Sequence, residues 1–247
     1  MNRKYTIKFS VASIPCRLII DDKLVFNYFN RNYWSEKNQK RSKVEINILN
    51  NNNCYEIYTK LPKLKIIINM KKKGLLFKDI DWIVRTMIQN SLLKYKIFFI
   101  HSSSIINKGR VFVFLGVSGK GKSTIISNFK KNSIIGDDIL LLRKIGNDYH
   151  PYQSPFEKMR VNNMKNLEKS VIDRLFILKQ GNKLEEKSIK PQKVISLLLS
   201  DNYAPRLPQV KIFFYSDLIL DLVKKLKFAK LIFPKVFNKK DFFNNYG

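Results

Sequence analysis

Residues Gly116–Ser123 read Gly-Val-Ser-Gly-Lys-Gly-Lys-Ser, a complete G-x-x-x-x-G-K-[ST] pattern. These residue types at this spacing suit the holding of phosphate. Gly116, Gly119 and Gly121, with Ser118 and Lys120 between them, let the backbone curl with its N–H groups turned inward. Lys122 adds a point charge for β- and γ-phosphates, and Ser123 offers a hydroxyl to Mg²⁺. From Thr124 onward the sequence suits a helix whose first turn favours an anion. The flanks agree with the motif. The apolar run Val111–Leu115 enters it as a strand, and Thr124–Phe129 leaves it as a helix-compatible stretch. The expected ligand is a nucleoside triphosphate, with ATP and Mg²⁺ the expected pair.

Phosphoryl chemistry needs carboxylates beside such a loop, usually at the end of a neighbouring apolar strand. Ile134-Ile135-Gly136-Asp137-Asp138 supplies two, after a segment that accommodates one short helix and one strand. One carboxylate can hold the metal while the other takes the proton of an attacking hydroxyl. A plain Asp-Asp turn is the bland alternative. Upstream, His101 sits in the run Ile97–Ile106, which reads as a strand, and a structural strand histidine is the competing reading there.

Taken together, His101-Ser102-Ser103-Ser104-Ile105, the turn Lys108-Gly109-Arg110, the loop Gly116–Ser123 and Gly136-Asp137-Asp138 resemble the core of the HPr kinase/phosphorylase family. The likeness is stronger to the short HPr-kinase-related proteins found beside peptide-modification genes. It covers about residues 97–145. The resemblance implies an α/β fold with a phosphoenolpyruvate carboxykinase-like nucleotide-binding core, and ATP-dependent phosphorylation of a serine on a peptide or small protein. In that scheme Asp137 accepts the hydroxyl proton, Asp138 and Ser123 hold Mg²⁺, Lys122 binds the phosphates, and His101 lies near the transferred group. The glycine-rich segment with which the bacterial enzymes engage HPr is missing. Pro151–Asn166 stands in its place, with Tyr152, Lys158 and Arg160, so HPr and phosphorylase activity are not expected. Arg160 is a weak candidate for stabilising transferred charge; a solvated loop arginine is the stronger reading.

Other assignments fit less well. Asn238-Lys239-Lys240-Asp241 matches the guanine-reading N-K-x-D pattern, but no D-x-x-G precedes it, and the match is cheap in a chain rich in Asn and Lys. An L-S-G-G-like signature is missing as well. A nucleic-acid-acting enzyme and an ATP-dependent switch without kinase activity are the remaining alternatives.

The elements that must position these residues divide into two regions. Residues 1–95 alternate in strand fashion at Tyr5–Phe9, Cys16–Ile20, Val44–Ile48, Tyr55–Tyr58 and Lys65–Ile68, which suggests a small antiparallel β region. A closing helix follows over 80–95, with Asp79 as its cap and Ile80, Ile83, Val84, Met87, Ile88 and Leu92 on one stripe. Residues 96–247 form the expected catalytic domain. Strands are expected at Ile97–Ile106, Val111–Leu115, Ser133–Gly136, Ile139–Ile145, Leu175–Leu178 and Leu231–Phe237, and helices over 191–200 and 216–227. The Pro-containing stretch 150–170 reads as irregular.

Composition narrows the partners. The formal charge is +28 with 47 Lys and Arg. The basic residues are spread along the chain, which fits a biased composition better than a nucleic-acid footprint, although an acidic peptide would be attracted by this field. Only Cys16 and Cys54 are present, with His101 and His150, so neither a disulfide framework nor a zinc site is expected. Apolar runs are strand-length and the start lacks a signal-peptide core, so a cytoplasmic location is the expectation.

Overall fold

In the computed structural model the described residues are 4–33, 35, 41–51, 54–59, 64–69, 77–116, 119–156, 167–200, 209–236 and 238–246. The architecture is mixed α/β, with two mixed sheets in two units, Met1–Tyr95 and Lys96–Gly247.

The first unit contains β1 (Tyr5–Val11), β2 (Ile14–Ile20), α1 (Lys23–Asn32), β3 (Val44–Asn51), β4 (Cys54–Thr59), β5 (Leu64–Asn69) and α2 (Phe77–Leu92). Its sheet runs β1-β2-β3-β4-β5. Strict alternation of buried and half-buried residues along β2 reflects a sheet with one face packed. The expectation of an antiparallel sheet holds for β1–β2, β3–β4 and β4–β5, but β2 and β3 are parallel, with Cys16 beside Val44 and Ile20 beside Ile48. The reason is α1, which the sequence reading missed: a parallel pair needs a crossover, and α1 supplies it. Asp22 starts this helix. Its Oδ1 accepts from the N–H groups of Leu24 (2.8 Å) and Val25 (3.1 Å), while Oδ2 accepts from Asn50 Nδ2 (2.8 Å) and the Tyr55 hydroxyl (3.0 Å). Partial burial pushes this carboxyl upward, but those hydrogen bonds win and hold it below its ordinary value.

Helix α2 begins earlier than expected. Asp79 lies in its first turn instead of at its cap, where a carboxylate still favours the helix dipole. The expected stripe is buried apart from half-buried Ile83. It also carries a buried carboxylate, Asp81, which accepts from Tyr33 Oη (2.7 Å) and pairs with Arg85 (2.8 Å). Burial, then the Asp81 charge, raises the Tyr33 phenol well above its usual range.

The second unit contains β6 (Ile97–Asn107), β7 (Arg110–Leu115), α3 (Lys122–Ile126), β8 (Ile134–Gly136), β9 (Ile139–Ile145), β10 (Asp148–Gln153), β11 (Val171–Gln180), β12 (Glu185–Lys187), α4 (Pro191–Leu199), α5 (Gln209–Lys225), β13 (Phe228–Phe233) and α6 (Lys239–Tyr246). The sheet order is β10-β9-β6-β7-β11-β13-β12, with β8 also paired to β6. Strands β7, β11 and β13 are mutually parallel, so their carboxyl ends share one edge; the other pairings are antiparallel. Lys108 and Gly109, at φ 48° and 77°, make the tight turn between β6 and β7.

Several elements differ from expectation: β11 is longer than Leu175–Leu178, and β12 was not expected. The stretch expected to be irregular opens with β10, whose Pro151 pairs with Leu142; proline is tolerated because β10 ends the sheet order. The last strand is Phe228–Phe233, followed by the unforeseen α6. The later helix begins at Gln209. Lys158 and Arg160 lie outside the described residues.

One face of this sheet carries Phe112, Phe114, Phe176, Leu178, Leu231 and Phe233, packed with Ile125, Ile126 and Phe129 around α3 and with Phe242 of α6. Phe242 stands edge-on to Phe112, Phe114, Phe129 and Phe176 at centroid distances of 5.4–5.9 Å. This aromatic core is the floor on which the segment after β7 rests.

Candidate functional site

The chain leaves β7 at Leu115, beside Ser102 of β6 on one side and Ile177 of β11 on the other. The turn through Gly116–Gly121 delivers it into α3. Val117 and Ser118 lie outside the described residues. Gly121 is the N-cap of α3 at φ 94°. A Cβ there would lie 2.7 Å from Phe233 Cζ and 3.4 Å from Gln180 Nε2. Glycine is therefore required twice, by the left-handed conformation and by the close approach to β11 and β13. Helix α3 is only five residues long, shorter than Thr124–Phe129 implied, and the chain turns after Ile126.

Lys122 is 8% exposed, and its Nζ donates to the Gly116 carbonyl at 2.6 Å. The ammonium thus closes the loop on itself. Burial lowers the Lys122 pKa, and the negative charge of Asp138 opposes that shift. The amine and the carboxylate, from different elements, therefore feel one another's field.

Asp137 and Asp138 occupy the break between β8 and β9. The two strands lie against one strand, β6: Gly136 is opposite Ser104, and Ile139 is opposite His101. The dipeptide bends opposite Ser102 and Ser103 with no residue inserted, because the register at Gly136–Ser104 continues at Ile139–His101. Ser102 N–H donates to the Asp138 carbonyl (2.9 Å), and Ser103 Oγ donates to the Asp137 carbonyl (3.1 Å). Both Asp137 and Asp138, at this bend between two strands, border one cavity. His101 Nδ1 lies 3.0 Å from Asp138 Oδ1. That contact makes Nδ1 the donor to the carboxylate.

The cavity is about 320 Å³ and is bordered by His101, Gly119, Gly121, Lys122, Ser123, Thr124, Asp137, Asp138 and Gln180. Residues from β6, the loop and the β8–β9 break are thus brought to one place. Lys120 is exposed and Gly116 is buried, and neither borders the cavity. Gln180 was not anticipated. It has no local motif, and only the parallel register of β11 with β7 and β13 brings it to the loop.

Among the described residues no group of three or more His, Cys, Asp or Glu forms a metal cluster. Mg²⁺ needs none, since it is commonly held by one or two carboxylates with substrate phosphates and water. The hard oxygen donors Asp138 and Ser123, on one cavity, suit that ion.

The N-K-x-D match has a different explanation. Asn238 precedes α6, its Oδ1 accepts from Lys240 N–H (2.9 Å), and its carbonyl accepts from Asp241 N–H (3.0 Å). The asparagine is a helix cap. No helix among the described residues is long and apolar enough to cross a membrane. Compared with family models and with curated proteins, the sequence matches none of them.

Proposed function

We propose that the chain is an ATP- and Mg²⁺-dependent kinase that phosphorylates a serine hydroxyl of a peptide or small protein, on a phosphoenolpyruvate carboxykinase-like nucleotide-binding core. What supports this reading is the shared cavity. A lysine and serine from a phosphate-binding sequence border the same space as two carboxylates and a histidine from other elements. Binding alone needs the loop; it does not need a carboxylate pair held at its mouth.

The chain's own groups divide the work. Lys122, released from the Gly116 carbonyl, neutralises phosphate charge. Asp137 takes the proton of the acceptor hydroxyl as its oxygen bonds to the γ-phosphorus and the bond to the β–γ bridging oxygen breaks, releasing ADP. His101 fixes Asp138 through Nδ1. Asp138 and Ser123 would hold Mg²⁺, which when bound screens the phosphates and orients them.

The test pairs ATP binding with phosphotransfer to candidate peptides, followed by mass spectrometry with labelled ATP. Lys122→Ala should lose at least about tenfold in ATP affinity, the worth of a charge-assisted contact. Equal affinity in variant and wild type refutes the site. Asp137→Asn should bind ATP and fail to transfer. Retained transfer there, with loss in Asp138→Asn, reverses the two roles. ATP binding without transfer to any peptide leaves a nucleotide switch as the correct reading.

A further inference from the structure

We propose that Gln180 is an additional phosphate-contacting residue, whose side-chain amide donates to the phosphate chain seated in the Gly116–Ser123 loop. This rests on the triphosphate reading of that loop. Along β11, Phe176 and Leu178 belong to the aromatic core beneath the loop. Gln180 is next in the same row, where the side-chain period of a strand keeps it on the same face. The loop is laid along this row. A Cβ on Gly116 would lie 3.7 Å from Leu178 Cβ, and one on Gly121 would lie 3.4 Å from Gln180 Nε2. The apolar row therefore ends in a carboxamide where the core gives way to the cavity, with its NH₂ end turned toward the loop.

Gln180 borders the cavity opposite the elements that carry His101, Asp137 and Asp138: β6 flanks β7 on one side and β11 on the other. Acidic groups crowd the first side. A neutral donor on the second adds a hydrogen bond to an anion without a further carboxylate. Among the described residues its amide meets no hydrogen-bonding partner. The backbone behind it is fixed: Gln180 pairs with Phe233, and Gly181 N–H donates to the Phe233 carbonyl at 2.9 Å. A side chain exposed to solvent on a rigid strand end can be replaced without disturbing the core.

The experiment compares wild type, Gln180→Ala, Gln180→Glu and Lys122→Ala for binding of ATP and of inorganic tripolyphosphate, with thermal unfolding of the unliganded proteins alongside. Gln180→Ala should weaken both ligands by the same factor, about tenfold. Gln180→Glu, isosteric but acidic, should weaken both further. Both variants should melt with the wild type. A Lys122→Ala loss with unchanged affinities in the two Gln180 variants overturns the proposal alone. Weakening of ATP but not of tripolyphosphate overturns it too, because the contact would then be to the nucleoside. Failure of the wild type to bind either ligand overturns the underlying triphosphate reading.

Discussion

Gly121→Ala isolates the packing that shapes the loop. The substitution meets two separate penalties. Alanine must adopt φ near 94°, a left-handed conformation that is unfavourable by about 1–2 kcal/mol. Its Cβ must also enter space 2.7 Å from Phe233 Cζ, and Phe233 is fully buried and unable to swing into solvent. Overpacking of that kind costs about 1–3 kcal/mol. The expected destabilisation is the sum of the two, about 2–5 kcal/mol. Phe233→Leu separates the penalties, because the shorter side chain vacates the ring tip and leaves the backbone demand untouched. In the Phe233→Leu background Gly121→Ala should then cost only about 1–2 kcal/mol, a coupling of at least about 1 kcal/mol. The assay is urea denaturation of the four proteins of this cycle. It should be followed by circular dichroism, since both tryptophans, Trp34 and Trp82, belong to the Met1–Tyr95 unit. Strict additivity, or a Gly121→Ala cost below about 0.5 kcal/mol, would refute the claim that Phe233 sets the loop's path.

Two further outcomes follow from charged and polar groups elsewhere. Asp221 pairs with Lys144 (2.8 Å) and accepts from Tyr149 Oη (2.7 Å). Partial burial pushes its carboxyl up, but these partners and Lys225 prevail and hold it at about 2, against an ordinary 3.8. A depressed folded value gives stability that is complete above the unfolded value and is lost as pH falls toward about 2. Asp221→Asn should cost on the order of 1 kcal/mol at neutral pH, after solvent screening of this partly exposed group. The difference from wild type should shrink between about pH 4 and pH 2, and a constant difference across that range would contradict the assignment. Ser104 is fully buried in β6 and its Oγ has no hydrogen-bond partner among the described residues. Ser104→Ala should therefore be neutral or stabilising by up to about 1 kcal/mol in thermal unfolding, whereas a loss above 1 kcal/mol would reveal a bond that the hydroxyl does make.

Most residues that border the cavity stand out in the sequence because their motifs are local. The glycines, Lys122 and Ser123 lie within eight consecutive positions, and a glycine-rich turn is a local object. Most strands of both sheets, all but β10 and β12, were legible for a related reason: burying one or both faces of a strand writes a period of two, or an apolar run, into the sequence. Helix α1 was hidden because it is short and buries only Val25 and Phe29, while Leu24, Phe26 and Tyr28 together blur the helical stripe, although Asp22 was a visible cap signal. Missing that helix made β2–β3 read as antiparallel.

What tertiary structure alone decided is the company each residue keeps. Asp137 and Asp138 are neighbours in sequence, but only the bend between β8 and β9, held against Ser102 and Ser103 of β6, sets both beside the cavity that Lys122 also borders. The aromatic floor depends on Phe242, which packs against residues more than a hundred positions earlier. Gln180 ends an ordinary strand in sequence and borders the loop only because β7, β11 and β13 lie parallel in one register. Local spacing wrote the loop into the chain. Hydrogen bonding between strands distant in sequence, which no local pattern encodes, determined what faces it.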